Sequence, residues 1–119
     1  MRRAEVSVIT LLKSLGFNAL AEIPTKLQSI VDDEEFVTVQ RSGGPNVLSI
    51  DKPLMIIQSW AADFDKAEDL SARVDDALLS FAPPSPTGIT HIDRNTLYRF
   101  PHQLIRCGRY QGVYNVVIN

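Results

Sequence analysis

Apolar positions repeat at helical spacing near the start of the chain and again in its middle, and alternate at strand spacing between and after those stretches. Val8, Ile9, Leu12 and Leu15 lie along one face of a first predicted helix, with Glu5 near its positive end and Lys13 near its negative end. Gly16 supplies the left-handed cap that ends it. Asn18 to Ile23 reads as a short strand ended by Pro24, and Thr25 to Ile30 has no clear period and reads as loop, with room for one turn of helix. Phe36 to Arg41 alternates as a strand, with Val37, Val39 and Arg41 on one side and Phe36, Thr38 and Gln40 on the other. The run Ser42-Gly43-Gly44-Pro45-Asn46 then predicts a chain reversal, because glycine reaches positive φ without steric cost and proline and asparagine favour turns.

Leu54 to Ala61 is the strongest strand, apolar on both faces for its first half. That pattern predicts a central position with a helix on one face and a second cover, from this chain or another subunit, on the other. Asp63 or Asp65 caps the next helix, Asp65-x-x-Glu68 has the form of a capping box, and the helix runs to about Phe81. Ala67, Leu70, Val74, Ala77, Leu78 and Phe81 form its buried face, while Lys66, Asp69, Arg73, Asp76 and Ser80 face water. The Pro83 to Gly88 run stops the helix as a stiff connection. Ile89 to Ile92 and Asn95 to Phe100 read as a strand pair turning at Asp93-Arg94-Asn95, or as one bent strand, and Tyr110 to Asn119 closes the chain as a long strand. The fold class is α+β: a mostly antiparallel sheet with an N-terminal helix and one long central helix packed on it.

Length and charge narrow this picture. A chain of 119 residues makes one domain, 1–119, with one modest core. A net charge of −2 offers no basic stripe for nucleic acid, and the single cysteine, Cys107, allows no internal disulfide and fits a reducing compartment. The apolar run after Arg2 and Arg3 is broken by Glu5, Ser7, Thr10 and Lys13, so it reads as a soluble helix with no secretion or membrane signal. Asp32-Asp33-Glu34-Glu35 places four like charges in a row and reads as solvated loop; it lacks the alternating ligands and glycine of a calcium loop.

Candidate chemistry is thin. His91-x-Asp93 and His102 lack the helical spacing of a zinc pair, and Gly43-Gly44 lacks the lysine and hydroxyl of a phosphate loop. No nucleophile elbow or framed carboxylate pair appears. The expectation is a protein that is not an enzyme, holds no cofactor or metal, and works through its surfaces.

One resemblance sharpens that. An N-terminal helix, Phe36-Val37-Thr38-Val39-Gln40-Arg41-Ser42-Gly43-Gly44, Asp51-x-Pro53 leading into the strand ending Trp60-Ala61, an Ala67-x-x-Leu70 helix and a closing Arg109-Tyr110-Gln111 strand follow in order over nearly the whole chain. This order resembles the tail terminator proteins of long-tailed, siphovirus-like bacteriophages. The resemblance implies a structural virion protein at the tail–neck junction, assembled in the host cytoplasm. It implies a hexameric ring on the head-proximal end of the tail tube, which halts polymerisation of the tube protein and presents a surface to the head–tail connector. DNA passes through such a lumen without sequence-specific binding, and no membrane is involved. Under it, Arg41, Gly43, Gly44, Asp51, Arg109 and Tyr110 are candidates for the subunit or tube interface. Asp32, Asp33, Glu34 and Glu35 are candidates to line the channel, where like charge keeps DNA from sticking. Charge reversal at Arg109 is expected to weaken the ring and leave the monomer folded. Another neck protein, a connector or stopper, stays open as an alternative, as does a small cellular α+β enzyme or ligand-binding module.

Overall fold

A computed structural model describes residues 3–24, 34–43, 46–47, 50–81, 88–101 and 107–118. Helix α1 (Arg3–Ser14) buries Ala4, Val8, Leu11 and Leu12 as one stripe. Leu15, expected on that stripe, is 39% exposed, because the chain has already left the helix there. Gly16 (φ 94) turns it: Phe17 N donates to Leu12 O at 3.0 Å and Gly16 N to Lys13 O at 3.1 Å, the two bonds of a Schellman cap. Strand β1 (Ala19–Leu20) then runs parallel to β2 (Phe36–Gly43), with Ala19 beside Val37. The predicted loop at Thr25 to Ile30 lies outside the described residues.

The predicted reversal at Ser42 to Asn46 is corrected. Strand β2 pairs antiparallel with β5 (Leu54–Ala61), Phe36 facing Trp60 and Arg41 facing Met55, and shifts register by one residue before Gly43 faces Leu54. Strands β3 (Asn46–Val47) and β4 (Ile50–Asp51) continue that shifted register, with Asn46 facing Asp51 and Val47 facing Ile50. The two arms of the ribbon are therefore still paired at Val47 and Ile50, beyond the predicted turn. The glycine at 43 (φ 149) serves a bulge within a strand, a second use for a residue that reaches conformations other side chains rarely adopt. Gly44 and Pro45, the middle of the predicted turn, lie outside the described residues.

Strands β6 (Ile89–Arg99) and β7 (Gly108–Ile118) complete the sheet. Along one edge of β7, Leu54 faces Asn115, Asp51 faces Ile118, and Val116 N donates to Pro53 O at 3.1 Å, so β4 and β5 form one line interrupted at Lys52-Pro53. Along the other edge lies β6, one bent strand as the second reading had it. Register shifts between Ile89 and His91 and between Arg94 and Thr96 absorb the residues read as a turn. Rows run β1, β2 with β3, β5 with β4, β7, β6, antiparallel except for β1.

Helix α2 (Phe64–Ser80) starts at Asp63, whose carboxylate accepts from Lys66 N at 2.8 Å. The Asp65–Glu68 box does not form. Asp65 instead sits in the first turn, where the helix dipole favours a negative charge. Ala67, Leu70, Ser71, Val74 and Leu78 are buried against the sheet, and Lys66, Asp69, Arg73, Asp76 and Ser80 are exposed as expected. Both helices cover the same face, since residues of α1 and α2 share one core with Val37, Val39, Met55, Ile57, Tyr114 and Val116. The fold is the expected α+β arrangement of a mostly antiparallel sheet with two helices packed on it.

A polar chain running from this core to the surface ties α2 to the two last strands. Tyr114 OH donates to Asp75 Oδ1 at 3.0 Å, and Arg94 Nη1 holds Asp75 Oδ2 at 2.8 Å. Burial, then the adjacent Asp75 charge, pushes the Tyr114 phenol far above its ordinary value of 10.0. A phenol kept neutral by folding contributes stability that is complete below about pH 10 and is lost as pH rises above it. Tyr114→Phe is therefore expected to cost about 1 kcal/mol at neutral pH through the lost hydrogen bond. It should also flatten the alkaline limb of a stability-versus-pH curve measured by urea unfolding. An alkaline limb identical to that of the unsubstituted protein would show that Tyr114 is not its source.

Candidate assembly surface

Strand alternation puts Phe36, Thr38 and Trp60 on the face of the sheet that the helices leave open. One end of that face is sealed by the chain itself. Phe36 and Trp60 stack with ring centroids 5.8 Å apart and planes 11° from parallel, and Leu20 and Cys107 pack against them. The second cover expected for β5 thus comes, at its Trp60 end, from this chain. At the other end Leu54 and Ile56 are only half-buried.

Between the two ends runs a row of uncharged polar side chains crossing four strands. Trp60 Nε1 donates to Thr38 Oγ1 at 3.1 Å, Thr38 Oγ1 lies 3.5 Å from Gln58 Oε1, Gln58 Nε2 donates to Gln111 Oε1 at 2.7 Å, and Gln111 Nε2 donates to Tyr98 OH. Thr38 and Gln111 are buried. Each amide satisfies its neighbour, which removes the desolvation penalty of placing them on a half-dry surface. An uncharged row of this kind can be covered by protein without stranding a charge.

The two flanks of the sheet differ. On the β6 flank Tyr98 and Phe100 form an exposed edge-to-face pair, centroids 6.0 Å apart, each nearly two-fifths accessible. Two guanidiniums bracket it: Arg109 Cζ lies 4.1 Å from the Phe100 centroid, and Arg99 Cζ lies 3.6 Å from that of Phe64 on the helix side. On the β2 flank, a groove of about 310 Å³ is lined by the apolar Ala21, Ile23 and Ile56, the amide of Gln58, and the acidic Glu5 and Glu22.

The sequence-predicted interface residues are dispersed. Arg41 Nε donates to Gly43 O at 3.0 Å, closing the bulge locally. Asp51 belongs to β4 at the ribbon end, and Gly44 lies outside the described residues. Tyr110 faces the helix side, where its hydroxyl donates to Glu68 Oε2 at 3.1 Å. Arg109 is held by its own chain: Nε donates to Phe100 O at 2.7 Å, Nη2 to Pro101 O at 3.2 Å, and the guanidinium lies 4.9 Å from the Trp60 ring. Burial lowers its pKa. Charge reversal there strikes the fold itself, so the expectation of an intact monomer is withdrawn. Sequence reading missed Tyr98, Phe100 and Gln111, whose significance lies in cross-strand register and not in any local pattern.

Of the acidic run, Asp32 and Asp33 lie outside the described residues and Glu34 is exposed. Glu35 binds Arg73 Nη2 at 2.8 Å while Arg73 Nε holds Asp69 at 2.9 Å, which raises the Arg73 pKa chiefly through Glu35. These half-exposed pairs are worth at most about 1 kcal/mol each.

Reactive groups stand apart. Cys107 is buried, and desolvation raises its thiol pKa, the opposite of what a nucleophile needs. His91 Nε2 meets Asp93 Oδ2 at 2.9 Å in solvent, and His102 lies outside the described residues. Among the described residues no group of three or more metal-ligating side chains converges, and no helix is long and apolar enough to cross a membrane. No protein-family model matches the chain, and no curated protein matches it.

Proposed function

We propose that this chain is a structural assembly protein, a tail terminator that closes the head-proximal end of a long-tailed phage's tail tube as a homo-oligomeric ring. The observation that carries the reading is the dissimilarity of the two sheet flanks, an aromatic, cationic edge at β6 and a groove lined in part by two glutamates at β2. A ring is built from one heterologous contact repeated by rotation, so each subunit needs two different and complementary flanks. A two-fold dimer would need one self-complementary patch. The open face with its uncharged amide row gives a surface that the tube protein or the connector can cover. The ordered resemblance over nearly the whole chain supplies the rest, a tail-tube end as the place of assembly and six as the copy number.

A head–tail connector or stopper is the second reading, because it shares ring assembly and the same need for unlike flanks. Addition of the purified chain to polymerising tail tube protein separates the two. A terminator stops growth and sits at one end of each tube; a connector or stopper leaves tube length unchanged.

A further inference from the structure

We propose that the Tyr98–Phe100 end of β6 in one copy seats in the β2-flank groove of a second copy, as a head-to-tail contact between opposite flanks of the sheet. This deepens the ring reading and rests on it, by naming the surfaces that meet.

Four features support the pairing. The first is that one chain cannot satisfy both halves. The groove's nearest lining, Ile56 and Gln58, belongs to β5, and β7 lies between β5 and β6, so two strand spacings, about 10 Å, separate the aromatic pair from its own groove. The second is charge. Glu5 and Glu22 line the groove, and the aromatic pair is bracketed by Arg99 and Arg109. Opposite charge at a rim steers encounter and fixes register.

The third is that the two sides of the sheet match. Arg99 sits on the helix side over Phe64, and Glu5 belongs to α1 on that same side. Tyr98 and Phe100 lie by the open face, where Tyr98 joins the amide row, and Ile56 and Gln58 line the groove from the open face. Two copies set flank to flank, with helices on the same side, bring cation to carboxylate and aromatic ring to the apolar lining together. The fourth is preorganisation. The Gln111 bond to Tyr98 and the Arg109 bonds to the Phe100 and Pro101 carbonyls fix the pair before contact. Little ordering entropy remains to oppose association.

Backbone geometry agrees with an edge approach. Phe100 N donates to Arg109 O at 2.9 Å and Arg99 faces Tyr110 in register. In an antiparallel ladder this turns the Arg99 and Leu97 amides away from β7, toward an incoming strand.

The test uses the full chain with a benzophenone side chain in place of Phe100, as an equal mixture of unlabelled and nitrogen-15-labelled protein, irradiated and digested for mass spectrometry. Cross-links between light and heavy copies are expected to join position 100 to the Ala21–Ile23 or Thr38–Gln40 stretch. In parallel, Phe100→Ala is expected to weaken self-association about tenfold or more, as truncation of an interface anchor does. Its urea unfolding curve serves as the control for folding. Cross-links that map elsewhere in a chain that does assemble would overturn this contact and leave the ring standing. Absence of any light–heavy cross-link at the highest soluble concentration would overturn it as well, and the ring itself would then be decided by tube capping.

Discussion

Trp60→Ala is expected to lower folding stability by about 3–5 kcal/mol, the range for deleting a large buried aromatic. Trp60 is fully buried, and its ring is enclosed by Phe36 on one face, with Leu20, Cys107 and the Arg109 guanidinium nearby. Alanine would leave a cavity at the centre of the open-face cluster. It would also remove the Nε1 bond to Thr38, the first link of the amide row. A domain of this size has about 5–15 kcal/mol in total, so the loss takes a large share of it. Trp60→Phe should restore most of the stacking and leave a deficit of about 1 kcal/mol from the missing indole donor. Urea unfolding of the three proteins measures both steps. A loss below about 1 kcal/mol for the alanine variant, the scale of an ordinary substitution, would mean that the cluster does not hold the open face.

Gly108→Ala carries the second large effect, for a different reason. A Cβ at this position would lie 2.1 Å from Asp63 O, 2.4 Å from Asp63 C and 2.8 Å from Phe64 N. These are backbone atoms at the cap of α2, and the same Asp63 carbonyl accepts the first helical bond from Ala67 N at 3.0 Å. No side chain can rotate away to make room. Either β7 or the start of α2 must shift, and overpacking of this kind costs about 1–3 kcal/mol or more. The expected signature is a lowered unfolding midpoint together with a changed near-ultraviolet circular dichroism signal, since Trp60 and Ala61 pair beside this point. A Gly108→Ala protein with an unchanged midpoint would show that helix and strand are not in the close contact described.

How much of this was legible in the sequence depends on the range over which each feature is determined. The buried stripe of α2 follows from helical spacing at Ala67, Leu70, Val74 and Leu78, and the Gly16 cap is set by bonds reaching only to Leu12 and Lys13. Local rules suffice for both. The Ser42 to Asn46 segment misled because glycine serves bulges as readily as turns, and only pairing with β5 and β4 distinguishes them. Arg109 looked like a free surface charge because its partners, the carbonyls of Phe100 and Pro101, lie across a strand connection. Gly108 carried no signal at all, for its neighbour is backbone 45 residues earlier. The two flanks of the candidate surface were invisible for the same reason: Tyr98 beside Gln111, and Glu5 beside Ile23 and Ile56, become neighbours only through the sheet.

The central claim is that this chain ends a growing tube by closing on it as a ring, and tube length measures that most directly. Purified tail tube protein is polymerised with increasing amounts of the full chain, and the tubes are measured by negative-stain electron microscopy with a gold label on the added protein. Mean length falling as the chain-to-tube-protein ratio rises, with label at one end of each tube, is the predicted result. Tubes of unchanged length, or label spread along their sides, would contradict the account.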